Sequence, residues 1–213
     1  MIIQISSFIH AGHLFGIAKK AAARSTKDRD FSIVSTMFSV SALEAFINES
    51  AELTKLVPTA QRQKIVEGYS AVMSELEERK EALLVKLHMG LLVFSGSTWD
   101  EGAQPFQDLK LLLAIRNQIV HIKADRWEVT LTPRGGERRT LDQYPKFMKA
   151  LKQRLLVDLR KSESWLELIS TKRVAKWACD TAARITSAFV DGVPDGYYKE
   201  SLKPHALRPT RRL

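Results

Sequence analysis

One cysteine, Cys179, in 213 residues leaves nothing for an internal disulfide framework and fits a reducing compartment. No uninterrupted apolar run approaches the ~20 residues of a membrane-spanning helix. The N-terminal stretch MIIQISSFIH is apolar, but it has no basic leading region and no evident small-residue cleavage site, so it does not read as a signal peptide. These absences set the expectation of a cytoplasmic protein without a membrane partner. There is also no glycine-rich phosphate loop, no nucleophile elbow and no Cys/His cluster at metal-ligand spacing, so neither a metal nor a cofactor is expected. His10 and His13, three apart, have no nearby acid in the sequence and make a weak pair. His88 sits among leucines and reads as a packed core histidine. The four tryptophans, at 99, 127, 165 and 177, fall at apolar or loop-edge positions that suit core packing better than base stacking.

What the chain has is an uneven charge. Residues 1–130 hold 15 basic and 15 acidic residues, whereas 131–213 hold 18 and 9, so the whole net charge of +9 lies in the second part. The stretch KFMKALKQRLLVDLRK (146–161) has six bases and one acid, and KPHALRPTRRL (203–213) has four bases and no acid. A patch of this kind attracts polyanions and releases their counterions, or else it is only a solvated face that confers solubility. Under the first reading Lys146, Lys149, Lys152, Arg154, Lys203, Arg208, Arg211 and Arg212 are the candidate nucleic-acid contacts.

Almost all of the chain has helical periodicity. Apolar residues recur at three and four through 6–25, through 30–56 (Ile33, Met37, Val40, Leu43, Phe46, Ile47) and through 59–89, with Pro58 between the last two. A loop is expected at 95–106 and a helix from about Pro105 to His121. WEVTLTPRGGERRTL (127–141) alternates around Pro133 and Gly135-Gly136 and predicts a short hairpin. Helices over 143–161 and 163–190 follow, and the tail from 191 is expected to be mobile. The expected fold is an all-α bundle in a single domain, its core at about 30–190, with one small β-hairpin near 127–141.

Within it, LLLAIRNQIVHIK (111–123) is a greasy helix interrupted by Arg116, Asn117 and His121. At ~100° per residue, Asn117 and His121 share a face, whereas Arg116 and His121 stand ~140° apart. One helix does not aim both at a single point unless its end unwinds; two copies crossing near their C-terminal ends can. An arginine on an apolar face also needs an acceptor or a phosphate. Against this, a histidine in a last turn is favoured by the helix dipole, and an arginine stem covers apolar surface.

The stretch PFQDLKLLLAIRNQIVHIK resembles the signature helix of the HEPN superfamily, whose R-x4–6-H motif often begins Arg-Asn and ends in a histidine at a helix terminus. FSVSALEAFINE (38–49) resembles the earlier helix that packs against it. The specific motif covers about 20 residues of the chain. The resemblance implies Arg116, Asn117 and His121 as the catalytic set, with Glu44 or Asn48 as a polar support. It also implies a homodimer with the motifs at its seam and metal-independent RNA cleavage, in a toxin or phage-defence setting that carries a cognate antitoxin or defence partner. The residue types suit that chemistry. Histidine serves as acid or base near neutral pH, and arginine offers a permanent fork of donors to non-bridging phosphate oxygens. Asn117 would orient His121 or the phosphate, and Glu44 or Asn48 would hold the guanidinium. The products would be a 2′,3′-cyclic phosphate and a 5′-hydroxyl. One branch of the family carries a modified tyrosine two residues after the histidine; here Lys123 stands there, so that regulation is not implied. Other members are non-catalytic adaptors or nucleotide binders, and a helical adaptor or nucleic-acid-binding dimer is the alternative reading.

Overall fold

In the computed structural model the described residues are 9–123, 127–131, 137–141, 144–159 and 164–209. They form α1 (Ala11–Arg24), α2 (Asp30–Leu53), α3 (Lys64–Glu78), α4 (Leu83–Ser95), α5 (Phe106–Val120), a two-stranded ladder of β1 (Trp127–Leu131) and β2 (Glu137–Leu141), then α6 (Phe147–Gln153), α7 (Trp165–Ile169), α8 (Lys172–Gly192) and α9 (Tyr197–Leu202). The fold is α-helical. The ladder is antiparallel, with Trp127 opposite Leu141 and Leu131 opposite Glu137; its expected turn at Pro133 and Gly135-Gly136 lies outside the described residues.

α2 is the central helix and packs against α1, α3, α4, α5, α8 and α9. Small side chains let its closest neighbours approach: Ser32, Ser35, Ser39 and Ala42 on α2, Ala18 and Ala22 on α1, and Ala175, Ala178, Cys179 and Ala182 on α8 are all buried. Buried hydroxyls need acceptors, and on α2 Thr36 donates to the Ser32 carbonyl (2.9 Å), Ser39 to that of Ser35 (2.8 Å) and Ser50 to that of Ile47 (2.6 Å). By length and composition the segment Asp30–Leu56 would also cross a bilayer, but half of that window is buried inside the bundle. α1 begins where the Glu49 carboxylate of α2 accepts from the backbone N–H groups of His10 (2.6 Å) and Ala11 (3.1 Å), filling the role of an N-cap.

The single long helix expected over 59–89 is two helices. α3 ends in a Schellman turn: Lys80 N–H donates to the Glu77 carbonyl, Glu81 N–H donates to that of Leu76, and Lys80 is left-handed at φ 54°. The helix expected over 143–161 stops in the same way at 153. Leu155 (φ 57°) donates to Lys152, and Leu156 to Leu151. The left-handed position is usually glycine; here lysine and leucine occupy it, so the sequence carries no stop signal. The helix expected over 163–190 is also two. Ser164 and Glu167 form a capping box that starts α7, and the Thr171 hydroxyl caps α8.

Contrary to expectation, the tail is packed as far as Leu207. Tyr198, Leu202 and Leu207 are buried in the main core. Tyr198 donates its phenol proton to the Ser50 carbonyl (2.8 Å), while the Ser50 hydroxyl meets the phenol of Tyr69. Burial pushes both tyrosine pKa values well above the usual range.

A left-handed non-glycine residue costs about 1–2 kcal/mol, part of which glycine returns through its freer unfolded chain. Lys80 is exposed. Lys80→Gly is therefore expected to raise the urea-unfolding free energy by roughly 0.5–1 kcal/mol. A loss of stability would show that the turn is held by the lysine side chain instead.

Candidate functional site

α5 is buried on two faces and leaves one stripe, Gln107, Lys110, Ala114 and Asn117, at the surface. Leu109, Leu112 and Leu113 belong to the main core, whereas Leu111 and Ile115 belong to a second apolar cluster with Met148, Leu151, Trp165 and Leu168. A helix wedged between two cores leaves charge its ends and its one surface stripe, where Lys110 pairs with Glu101. Asp108 lies in its first turn and Arg116 in its last turns.

Arg116 donates from Nη2 to Glu44 Oε1 on α2 at 2.5 Å, with side chains 29% and 41% exposed. Its Nε is buried and has no partner among the described residues. Asn48 lies one helical turn beyond Glu44 on α2. Glu44, Asn48, Arg116 and Asn117 line one pocket of about 450 Å³, closed on another side by the start of α4. Four of the five candidate residues thus meet at one place.

The fifth does not line that pocket. His121 ends α5: its N–H donates to the Asn117 carbonyl (3.0 Å), its φ/ψ of −112°/41° leaves the helix, and it is exposed. Its neighbours Val120 and Ile122 are about half exposed, at 52% and 53%, so apolar surface flanks it on both sides.

Lys86 of α4 completes the pocket, and nothing in the sequence singled it out. It is 7% exposed. Its ammonium donates to Asn48 Oδ1 (3.0 Å) and pairs closely with Glu77 of α3. A lysine so buried needs such partners, and here they also fix the Asn48 amide. The pocket wall therefore carries two cations, Arg116 and Lys86, and two carboxylates, Glu44 and Glu81.

The candidate phosphate contacts fare unequally. Arg154 is engaged elsewhere: its Nε bonds Asp108 Oδ1 (2.6 Å), while Arg184 Nη2 bonds Asp108 Oδ2 (2.8 Å) and Gln104 bonds Oδ1 (3.0 Å). That carboxylate ties α5 to α8 and to the end of α6, so Arg154 is a structural residue in this fold. Lys203 pairs with Glu200 at 2.5 Å on the surface, where such a pair is worth little. Lys146, Lys149, Lys152 and Arg208 are exposed; Arg211 and Arg212 lie outside the described residues.

Among the described residues no cluster of His, Cys, Asp or Glu could hold a metal ion. His88 packs its ring edge-on to Phe106 at the core rim, with its Nε2 3.6 Å from Glu101. Trp99 and Trp165 are core residues, and Trp177 is half-buried between the two clusters. Trp127 lies in the ladder, and its side chain is outside the description. Comparison of the chain with family models, curated proteins and solved structures returned no match.

Burial by itself would raise the Asp108 carboxyl, but hydrogen bonds from Arg154, Gln104 and Arg184 outweigh it and hold its pKa below the ordinary range. A depressed folded-state pKa contributes stability that is complete above the unfolded value of ~3.9 and is lost as pH falls through the folded value. Asp108→Asn is expected to cost about 2–3 kcal/mol at neutral pH, the scale of hydrogen bonds to a charged group. Urea titrations at neutral pH and again well below ~3.9 should show the gap between wild type and variant closing in acid. A gap independent of pH would mean that packing, and not charge, holds this junction.

Proposed function

We propose that the protein is a HEPN-type, metal-independent endoribonuclease that works as a homodimer. The observation that carries this reading is the single pocket lined by Arg116, Asn117, Glu44 and Asn48 at the end of α5, whose terminus presents His121 to solvent. The residue types match the demands of transesterification at an RNA phosphodiester. A histidine takes the 2′-hydroxyl proton, and the 2′-oxygen attacks phosphorus. The 5′-oxygen leaves with a proton from a second acid, giving a 2′,3′-cyclic phosphate and a 5′-hydroxyl with no water consumed. Arg116 stabilises the charge that builds on the non-bridging oxygens. Glu44 holds one nitrogen of its fork, and Lys86 holds Asn48.

Because His121 does not line the Arg116 pocket of its own chain, the working site is composite in this reading. A two-fold seam over the ends of two α5 helices would bury the half-exposed Val120 and Ile122 and bring one protomer's His121 toward the other's pocket. It would also supply two histidines, one for each proton.

Purified protein is expected to cut RNA with EDTA present, and His121→Ala to lower the rate by about 10²-fold or more, the loss typical of a general acid or base. Equal rates for wild type and variant, or a requirement for added magnesium, would overturn the reading.

The seam is tested separately. Val120→Lys/Ile122→Lys places charge on the exposed apolar ends without touching the pocket. It is expected to shift sedimentation from dimer to monomer and to abolish cleavage together. Full activity from a monomeric variant would show that one chain suffices.

A further inference from the structure

α8 has a face that the candidate site does not use. Arg173, Lys176, Trp177, Asp180 and Arg184 follow one another at helical spacing along one stripe, and with Pro209 they line an open pocket of about 500 Å³. Three cations meet one carboxylate there, in the half of the chain that carries all the excess positive charge. Local contacts hold each cation in place. Arg173 Nη1 donates to the Leu155 carbonyl (2.6 Å), Lys176 pairs closely with Asp180, and Arg184 reaches Asp108 beneath through Nη2 while staying 44% exposed, against 24% for Arg154 on the same carboxylate. Only Lys176 and Arg184 share their charge with an acid in these contacts; Arg173 is anchored by a neutral carbonyl. From Arg173 to Arg184 the helix rises about 16 Å, a length that spans several backbone phosphates of a nucleic-acid strand.

The aromatic in the middle gives the face its chemistry. Trp177 is half-buried against both apolar clusters, so its ring is fixed rather than swinging. Its indole N–H is buried and has no partner among the described residues, a donor that an acceptor entering beside the ring would satisfy. Cations that track a backbone, with an indole set among them, form the arrangement that binds single strands: phosphates pair with the cations and a base packs on the ring. An acidic polypeptide would pair with the cations and the indole N–H but offers no flat base to pack on the ring.

We propose that this face of α8 is a single-stranded RNA track, with Arg173, Lys176 and Arg184 on successive phosphates and Trp177 under a base. The choice of RNA rests on the cleavage reading above; the track itself is a separate site.

Binding of a short labelled oligouridine to full-length His121→Ala, followed by fluorescence anisotropy across a salt series, tests it. Arg173→Gln/Lys176→Gln in that background removes two exposed contacts. It should weaken binding and flatten the slope of log affinity against log salt by about 1.4, two single-strand contacts at ~0.7 each. Trp177→Leu, which keeps apolar bulk, should lower affinity by about fivefold or more through the lost stack; circular dichroism confirms that it is folded. The proposal is overturned if the parent protein does not bind the oligomer, if the double variant keeps both affinity and slope, or if polyglutamate displaces the RNA as well as unlabelled RNA does. The two readings fail separately. Wild type that leaves RNA uncut while the salt slope still drops in the variant removes the cleavage reading and keeps the track. Cleavage with an unchanged slope does the reverse.

Discussion

The burial of α5 on both sides is the constraint from which the rest of the molecule follows. A helix held between two apolar clusters cannot place charge on the faces it buries, since an unpaired ion there would cost more than the packing returns. Apart from Lys110 on the surface stripe, charge is therefore confined to its two ends, and each end is tied down. Asp108 meets two arginines and a glutamine, and Arg116 meets Glu44. The first junction fixes the helix against α8 and the end of α6. The second fixes it against α2 and creates the pocket. Fold and candidate site thus share one cause.

α2 is the reference against which that pocket is built. Its serine and alanine faces seat α1 and α8 closely, which leaves little freedom for the helix to roll. Glu44 and Asn48 then project from a rigid element, one turn apart, toward α5 and α4. Lys86 adds a second brace, reaching from α4 to Asn48 and to Glu77 on α3. Four helices contribute to the support of one amide and one guanidinium, so the polar groups are placed by packing and not by a loop.

The sequence disclosed those features whose cause is local. Apolar periodicity marked α2 and α5 within a few residues, and the odd Arg116, Asn117 and His121 stood out against a greasy background. Long-range or non-standard features were hidden. Lys80 and Leu155 end helices from a conformation that glycine normally adopts, so nothing marked the breaks. Lys86 went unmarked, because its partners Asn48 and Glu77 lie 38 and 9 residues away. Arg154 looked free for phosphate because the acid that claims it is 46 residues earlier. The tail looked loose because Tyr198 and Leu202 sit in a short stretch between prolines, and their value lies in what they cover.

The Arg116–Glu44 pair also sets terms for anything that approaches it. A tethered carboxylate 2.5 Å away acts as a built-in competitor at high effective concentration, so an incoming anion must exchange with it rather than simply arrive. Chloride or a lone carboxylate gains little from that exchange. A phosphodiester that presents two oxygens to the fork, and is held by neighbouring phosphates elsewhere on the surface, gains more. At rest, the pocket's two cations and two carboxylates balance in formal charge. For the proposed RNA substrate, occupancy would then depend on how well the strand is anchored beyond the pocket, and Glu44 would favour long, multiply anchored strands over small anions.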